Sequence, residues 1–421
     1  MGVCKVLGLL LFSFFIFRKF PEHFALYSER NVVKIESGNI LGEKRGNFYA
    51  YEAIPYAEPV VGENRYELPK KYEQTWTGEK EFKKVGPVCL QWNHFPDNVL
   101  LGDEDCLTLN VYVPEAVVNA VEPAPVIFFI HGGAFMFGGA IYYGPENLMN
   151  AQNVILVTIN YRLGILGFLS TEDEVLPGNL GLKDQVEALK WVQRNICSFN
   201  GDPDKVTISG YSAGGASVQL FYMSELTNGL FQNGISHSGV SLNPWVMCEN
   251  SREKAYKVAS LVNCSTNSHT EMVKCLKGKP ANELVKQAEH FQPFLYNPFS
   301  PFGVVVEKPS PTAFLTDYPE NILKNKKIKN LPWLATICQD EGLYPAAQLY
   351  NDEYLETLDK EWNEHAKALL DFNGTTTDEV MKVKISKKIR EYYLQDEVIA
   401  KESYFKLRDV SQVEVYNCSI Y

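Results

Sequence analysis

Positive charge is in short supply. Lys and Arg number 40 against 51 Asp and Glu, a net charge of −11. The basic face that releases phosphate counterions is therefore missing, which argues against a nucleic-acid binder. Metal-site spacing is missing too. None of the nine cysteines forms a C-x-x-C pair and no two histidines stand at ligand spacing, so no structural zinc is expected. No internal repeat or low-complexity linker divides the chain. The basic runs 324–329 and 382–390 read as solvated faces. The apolar run Val6 to Phe17 spans twelve residues, short of the roughly 20 that a membrane-crossing helix needs.

What is present suffices for a large buried core. The chain has 421 residues, of which 45% are hydrophobic and 22% charged, so it is globular rather than disordered. That length often means two or three domains, but α/β architectures run as long in one. The acidity serves solubility. Lys5 before the apolar run and Arg18-Lys19 after it give the layout of a signal peptide, with Ala25 as the best cleavage candidate. The expected organisation is a signal peptide over 1–25 and one domain over 26–421, in a secreted protein; an uncleaved anchor is the alternative. The cysteine content suits an oxidising compartment. In that setting the N-x-S/T triplets at Asn263, Asn373 and Asn417 become candidate glycan sites.

Short apolar runs at Val126 to Ile130, Val154 to Ile159 and Val206 to Ile208 have the continuous hydrophobicity of strands buried on both faces. Leu331 to Ile337 is a fourth such segment, with Pro332 near its start where proline is tolerated. Between the second and third runs, Leu182, Val186, Leu189, Val192 and Ile196 recur at helical spacing. Lys183, Glu187, Lys190 and Arg194 lie between them as a polar face. Ala213 to Ser224 reads as another helix. Strands alternating with helices predict a mostly parallel central sheet with helices on both faces, whose ligands bind outside the carboxyl ends of the strands.

The chemical motifs fall at those ends. Gly210-Tyr211-Ser212-Ala213-Gly214 is a G-x-S-x-G between a strand and a helix. Such an elbow exposes its serine and aims the helix N-terminus at the reacting centre. His131-Gly132-Gly133-Ala134-Phe135 follows the strand ending at Ile130. Its small residues let main-chain N–H groups approach a substrate carbonyl, and with the N–H of Ala213 they would form an oxyanion hole.

Taken with four further segments, these motifs resemble the type-B carboxylesterases, the α/β-hydrolase family that includes cholinesterases and many insect esterases. The segments are Ala53 to Pro59 (AIPYAEP), Glu104 to Tyr112 (EDCLTLNVY), Gly178 to Gln185 (GNLGLKDQ) and Phe199 to Pro203 (FNGDP). The likeness runs from about Val33 into the 360s. It implies an α/β-hydrolase fold, no cofactor and a small, apolar ester as substrate. It implies Ser212 as nucleophile, Gly133, Ala134 and Ala213 as oxyanion donors, and Glu341 in Cys338-Gln-Asp-Glu-Gly342 as the acid that orients a histidine. Asp340 beside it is the rival. The likeness also implies disulfides Cys89–Cys106 and Cys264–Cys275, leaving Cys197, Cys248, Cys338 and Cys418 unassigned. Three positions depart from the pattern: Asn200 and Ala134 stand where glycine is usual, and Cys338 where asparagine is common. Tyr211 replaces the glutamate of cholinesterases, against a cation-selective site. Trp76, Phe135, Phe137 and Trp245 are candidates for an apolar pocket lining.

A serine hydroxyl needs a base, and the order in this fold is Ser, then Asp or Glu, then His. After Glu341 the chain holds one histidine, His365, in a polar helical stretch that suggests a surface position. His237 and His131 precede the acid. The expectation is therefore a fold incomplete at its C-terminal end: a serine ester hydrolase by family, impaired by the missing base, with an unpaired sheet edge beside Glu341. The alternative is a non-catalytic ester-binding or adhesion protein on the same fold, including a scavenger that traps esters.

Overall fold

The computed structural model describes residues 31–93, 98–151, 153–374 and 376–416. The signal-peptide segment, Asn417 and Cys418 lie outside them. An eight-stranded sheet forms the centre. Its strands in chain order are β1 (Glu43–Arg45), β2 (Phe48–Pro55), β3 (Thr108–Pro114), β4 (Ala124–Ile130), β5 (Ile155–Ile159), β6 (Gly201–Tyr211), β7 (Asn233–His237) and β8 (Trp333–Thr336). Their spatial order is β8-β7-β6-β4-β5-β3-β2-β1. Pairing is parallel from β8 through β5 and antiparallel from β5 to β1.

β4 and β5 read as continuous apolar runs because both sheet faces are covered; all five residues of β5 are buried. β4 lies between β5 and β6, so the chain leaves β4 to one side for β5 and later returns on the other side as β6. That reversal opens a crevice at the carboxyl ends of β4 and β6. The loop after β4 and the turn after β6 carry the two motifs. β6 is longer than its apolar run suggests. It starts at Gly201, after Asn200 takes the left-handed conformation (φ 60°), which asparagine accepts better than most residues. The Asn200 side-chain amide donates to the carbonyls of Val117 and Ala120 at 2.8 and 3.0 Å, hydrogen bonds that a glycine could not make.

Helix α1 (Leu180–Asn195) differs from its amphipathic reading. Leu182, Val186 and Leu189 face the core as expected, but Lys183 and Glu187 on the supposed solvent face are also buried. Glu187 pairs with Arg194 on the same helix at 2.9 Å, whereas the partner of Lys183 is far away in sequence. Lys183 Nζ lies 2.5 Å from Glu307, and Glu307 also accepts from the Asn179 amide at 2.7 Å and the Phe314 N–H at 2.9 Å. Burial pushes the Lys183 ammonium below its usual pKa, against the pull of Glu307. Next to it, Arg162 grips Asp184 through two nitrogens at 2.7 and 2.8 Å.

A second, smaller core is helical. It is formed by α2 (Asp352–Lys360), α3 (Trp362–Leu369), α4 (Glu379–Ile389) and α5 (Tyr404–Tyr416), and gathers Leu355, Leu358, Trp362, Leu394 and Leu407 around Phe294. His365 belongs here. The expected surface position is corrected: its ring stacks on Phe294 with centroids 4.2 Å apart, and Nε2 meets Glu361 at 3.0 Å. β8 is the edge of the sheet, and among the described residues no strand pairs with its outer side. Leu334 and Ile337 there are 55% and 44% exposed. Cys89–Cys106 and Cys264–Cys275 are bonded, while Cys197, Cys248 and Cys338 carry no disulfide.

Glu307→Ala leaves Lys183 charged and buried without a partner, and is expected to cost about 3–5 kcal/mol; urea denaturation would check it, and a loss under 1 kcal/mol would contradict the pairing. An apolar edge strand is a template for association. Leu334→Lys is accordingly expected to raise the monomeric fraction in light scattering without lowering the melting temperature.

Candidate active site

Ser212 follows β6 and stands at the N-cap of helix α6 (Ala213–Met223). The serine takes φ 55°, ψ −119°, a conformation that non-glycine residues hold only when their surroundings impose it. Two things impose it here. The Ser212 N–H is held by the His237 carbonyl at 2.8 Å, and Gly214 packs so closely that any Cβ would overlap the Ile130 carbonyl oxygen. The hydroxyl lines an open cavity of about 740 Å³ and has no hydrogen-bond partner among the described residues.

The loop after β4 faces it. Gly133 (φ 114°), Ala134 (φ 54°) and Phe135 (φ 59°) all have positive φ, and a Cβ on Gly133 would overlap the Phe137 carbonyl. The carbonyls of this loop are engaged one after another. Tyr161 Oη donates to His131 O at 3.0 Å, and His131 Nδ1 meets Gly132 O at 2.7 Å. Met136 and Phe137 donate to Gly133 O at 2.8 and 3.0 Å. Ser300 Oγ donates to Ala134 O at 2.8 Å, and Gly164 N to Phe135 O at 2.7 Å. The N–H groups of Gly133 and Ala134 have no acceptor among the described residues. The Ala213 N–H, at the first position of α6, is one of the orphan donors of a helix start. Three main-chain donors at the turn that bears a serine can take up negative charge developing on a carbonyl oxygen.

Glu341 lines the same cavity as Ser212. One of its carboxylate oxygens accepts from the Cys338 N–H at 2.8 Å. Asp340 points elsewhere, to Arg408 at 3.2 Å. The aromatic candidates divide. Phe137 and Trp245 line the cavity. Phe135 does not; it is fully buried between Phe168 and Trp245. Trp76 packs on Phe82 and donates to the Asn39 carbonyl at 2.8 Å, away from the site. Composition alone could not separate these four. Phe299 and four tyrosines complete the lining: Tyr142, Tyr143, Tyr211 and Tyr344. Tyr211 belongs to the G-x-S-x-G motif; the others come from segments without a motif, and no sequence pattern announces them. Burial raises the Tyr211 phenol pKa, with Glu341 and Tyr143 adding to the shift.

The histidines stand apart from this cavity. His131, His237, His269, His290 and His365 are the described ones, and none lines it. His131 is 1% exposed, stacked on Tyr161, and held neutral because burial lowers its pKa to about 4. The His237 ring meets the Thr336 hydroxyl at 2.8 Å. Among the described residues no group of His, Cys, Asp or Glu is placed to hold a metal ion.

A half-buried, cavity-lining serine on a strand–turn–helix elbow, at the reversal point of a mostly parallel sheet and beside a glycine-rich loop, defines the α/β-hydrolase class. The chain belongs to the carboxylesterase family, whose sequence profile matches residues 29–421, and with it to the carboxylic-ester hydrolases. It is 43% identical over 387 residues to Esterase-5A of Drosophila pseudoobscura pseudoobscura, covering 90% of this chain and 70% of that protein. It is 40% identical over 415 residues to Esterase-5B of Drosophila miranda, covering 96% and 75%. A third relative, Esterase-5C of Drosophila persimilis, is 42% identical over 386 residues, covering 89% and 70%.

The neutral, buried His131 makes the fold acid-sensitive. Its folded pKa of about 4 lies below the ordinary value of about 6.5, so the unfolded chain takes up the proton first as pH falls. The associated stability is whole above pH ~6.5 and is lost as pH drops toward 4, on the order of 3 kcal/mol in all. His131→Asn is expected to flatten this part of a stability–pH curve measured by urea denaturation; an unchanged slope would refute the assignment.

Proposed function

We propose that Ser212 is the nucleophile of an acyl-enzyme mechanism acting on small, neutral, apolar esters. The single observation that supports it most is the set of unaccepted N–H groups of Gly133, Ala134 and Ala213 around a strained, unpartnered serine hydroxyl. In this reading the serine oxygen adds to the ester carbonyl, those N–H groups hold the resulting oxyanion, the alkoxide leaves, and water later cleaves the acyl-serine. Glu341, on the same cavity, is placed as the acid that would orient an imidazole base. Trp245, Phe299 and Phe137 supply an apolar wall for the substrate, and among the described residues Glu341 is the one charged group that lines the cavity. The apolar N-terminal run, the two disulfides and the exposed Asn263 and Asn373 support a secreted glycoprotein.

The same reading assigns this 421-residue chain a low turnover of its own. None of the described histidines lines the cavity, and removing the base of a serine triad costs on the order of a million-fold. The oxyanion hole and binding alone give roughly 1,000- to 10,000-fold over water. This keeps a second reading open to experiment: an ester-binding protein that captures without turnover.

Fluorophosphonate labelling of the purified chain and of Ser212→Ala, followed by aryl-ester turnover, tests these assignments. The expected result is labelling that disappears in Ser212→Ala, with turnover near the base-free level. Turnover a million-fold above that would overturn the low-activity assignment and require a base beyond the described histidines. Folded protein that takes no label would sink the nucleophile assignment and favour the binding reading.

A further inference from the structure

Among the carbonyls that order the loop after β4, that of Ala134 is held from the farthest away in sequence. Tyr161 and Gly164 lie about 30 residues downstream of the loop, and the other donors belong to the loop itself. Ser300, by contrast, is 166 residues away. Its hydroxyl proton has one good acceptor, the Ala134 oxygen at 2.8 Å, because the Phe302 carbonyl lies at 3.4 Å. The residue is 5% exposed. Ala134 and Phe135 are consecutive non-glycine residues at positive φ, a conformation that the chain leaves unless something holds it. Ser300 also follows Phe299, which lines the ester cavity, and its own side chain borders a separate cavity of about 290 Å³ on the other side of that wall.

We infer that Ser300 is a positioning residue: by fixing the peptide between Ala134 and Phe135, it restrains Ala134 at its positive φ and, through that residue, the preceding peptide that carries the Ala134 N–H, and it ties the aromatic wall at Phe299 to the oxyanion loop. This rests on the ester-cleaving reading of Ser212. The loss of one oxyanion donor typically costs about 100- to 1,000-fold. Loosening the support of one donor, without deleting it, costs less, about 10- to 100-fold.

The experiment uses the full chain and three forms: wild type, Ser300→Ala and Ser300→Thr. Fluorophosphonate inactivation separates the maximal rate of Ser212 modification from probe affinity, and hydrogen exchange followed by mass spectrometry reads the amides of residues 131–137. Ser300→Ala is expected to lower the maximal rate about 10- to 100-fold, leave probe affinity within about twofold, and speed exchange in 131–137. Ser300→Thr is expected to restore both, since it keeps the hydroxyl and its methyl group has the neighbouring cavity to enter. Equal rates and equal exchange in wild type and Ser300→Ala would overturn the inference. So would a Ser300→Thr that fails to rescue while its melting temperature matches wild type. If folded wild type takes no label, the ester-cleaving reading fails, whereas exchange in 131–137 still decides whether Ser300 holds the loop.

Discussion

Where the carbonyl oxygens of residues 131–135 go decides what this site can do. A peptide plane has two polar ends, and turning one away from the crevice turns the other toward it. Each carbonyl in this stretch is drawn outward by a phenol, an imidazole, a hydroxyl or a main-chain N–H. The N–H groups of Gly133 and Ala134 are left without an acceptor among the described residues. Their alignment therefore precedes any substrate, which is the condition under which main-chain dipoles stabilise charge without reorganising. The sheet contributes by ending β4 and β6 side by side, so that this loop and the start of α6 meet within one residue's reach.

Such an arrangement is strained, and the strain is distributed. Ser212, Ala134 and Phe135 each occupy positive φ, at about 1–3 kcal/mol apiece. The large core surrounding them, with β5 wholly buried and α1 buried on nearly all sides, provides the rigidity that keeps these residues in place. The buried pairs Arg162–Asp184 and Lys183–Glu307 hold the loops that cover α1. Their value lies in specifying one arrangement more than in net stabilisation.

How much of this was legible in the sequence follows from the range of each interaction. The elbow at Ser212, the HGGAF loop and the strands at β4, β5 and β8 were readable because they are written in contiguous residues and local periodicity. Lys183 was read as a surface charge because its partner, Glu307, is 124 residues away and no pattern announces it. His365 was read as exposed because a polar helix conceals the one aromatic ring, Phe294, that it stacks on. Trp76 and Phe137 look alike in composition, and only packing sends one to a small sheet and the other to the cavity. Ser300 sits in a run without any motif, and nothing but tertiary structure brings it to Ala134.

The segment that carries Glu341 is joined to both cores. It leaves β8 on one side and is clasped on the other by α5, where Arg408 meets Asp340 at 3.2 Å and the Gln412 amide donates to the Gln339 carbonyl at 3.2 Å. The elbow at Ser212 belongs to the larger core, while the backbone that leads into Glu341 is tied at Gln339 and Asp340 to the smaller one. Cooperative units of different size open at different free energies. Ser212 and Glu341 therefore do not rest on the same support: loosening the helical lobe frees the backbone beside Glu341 while the elbow is still held by the sheet.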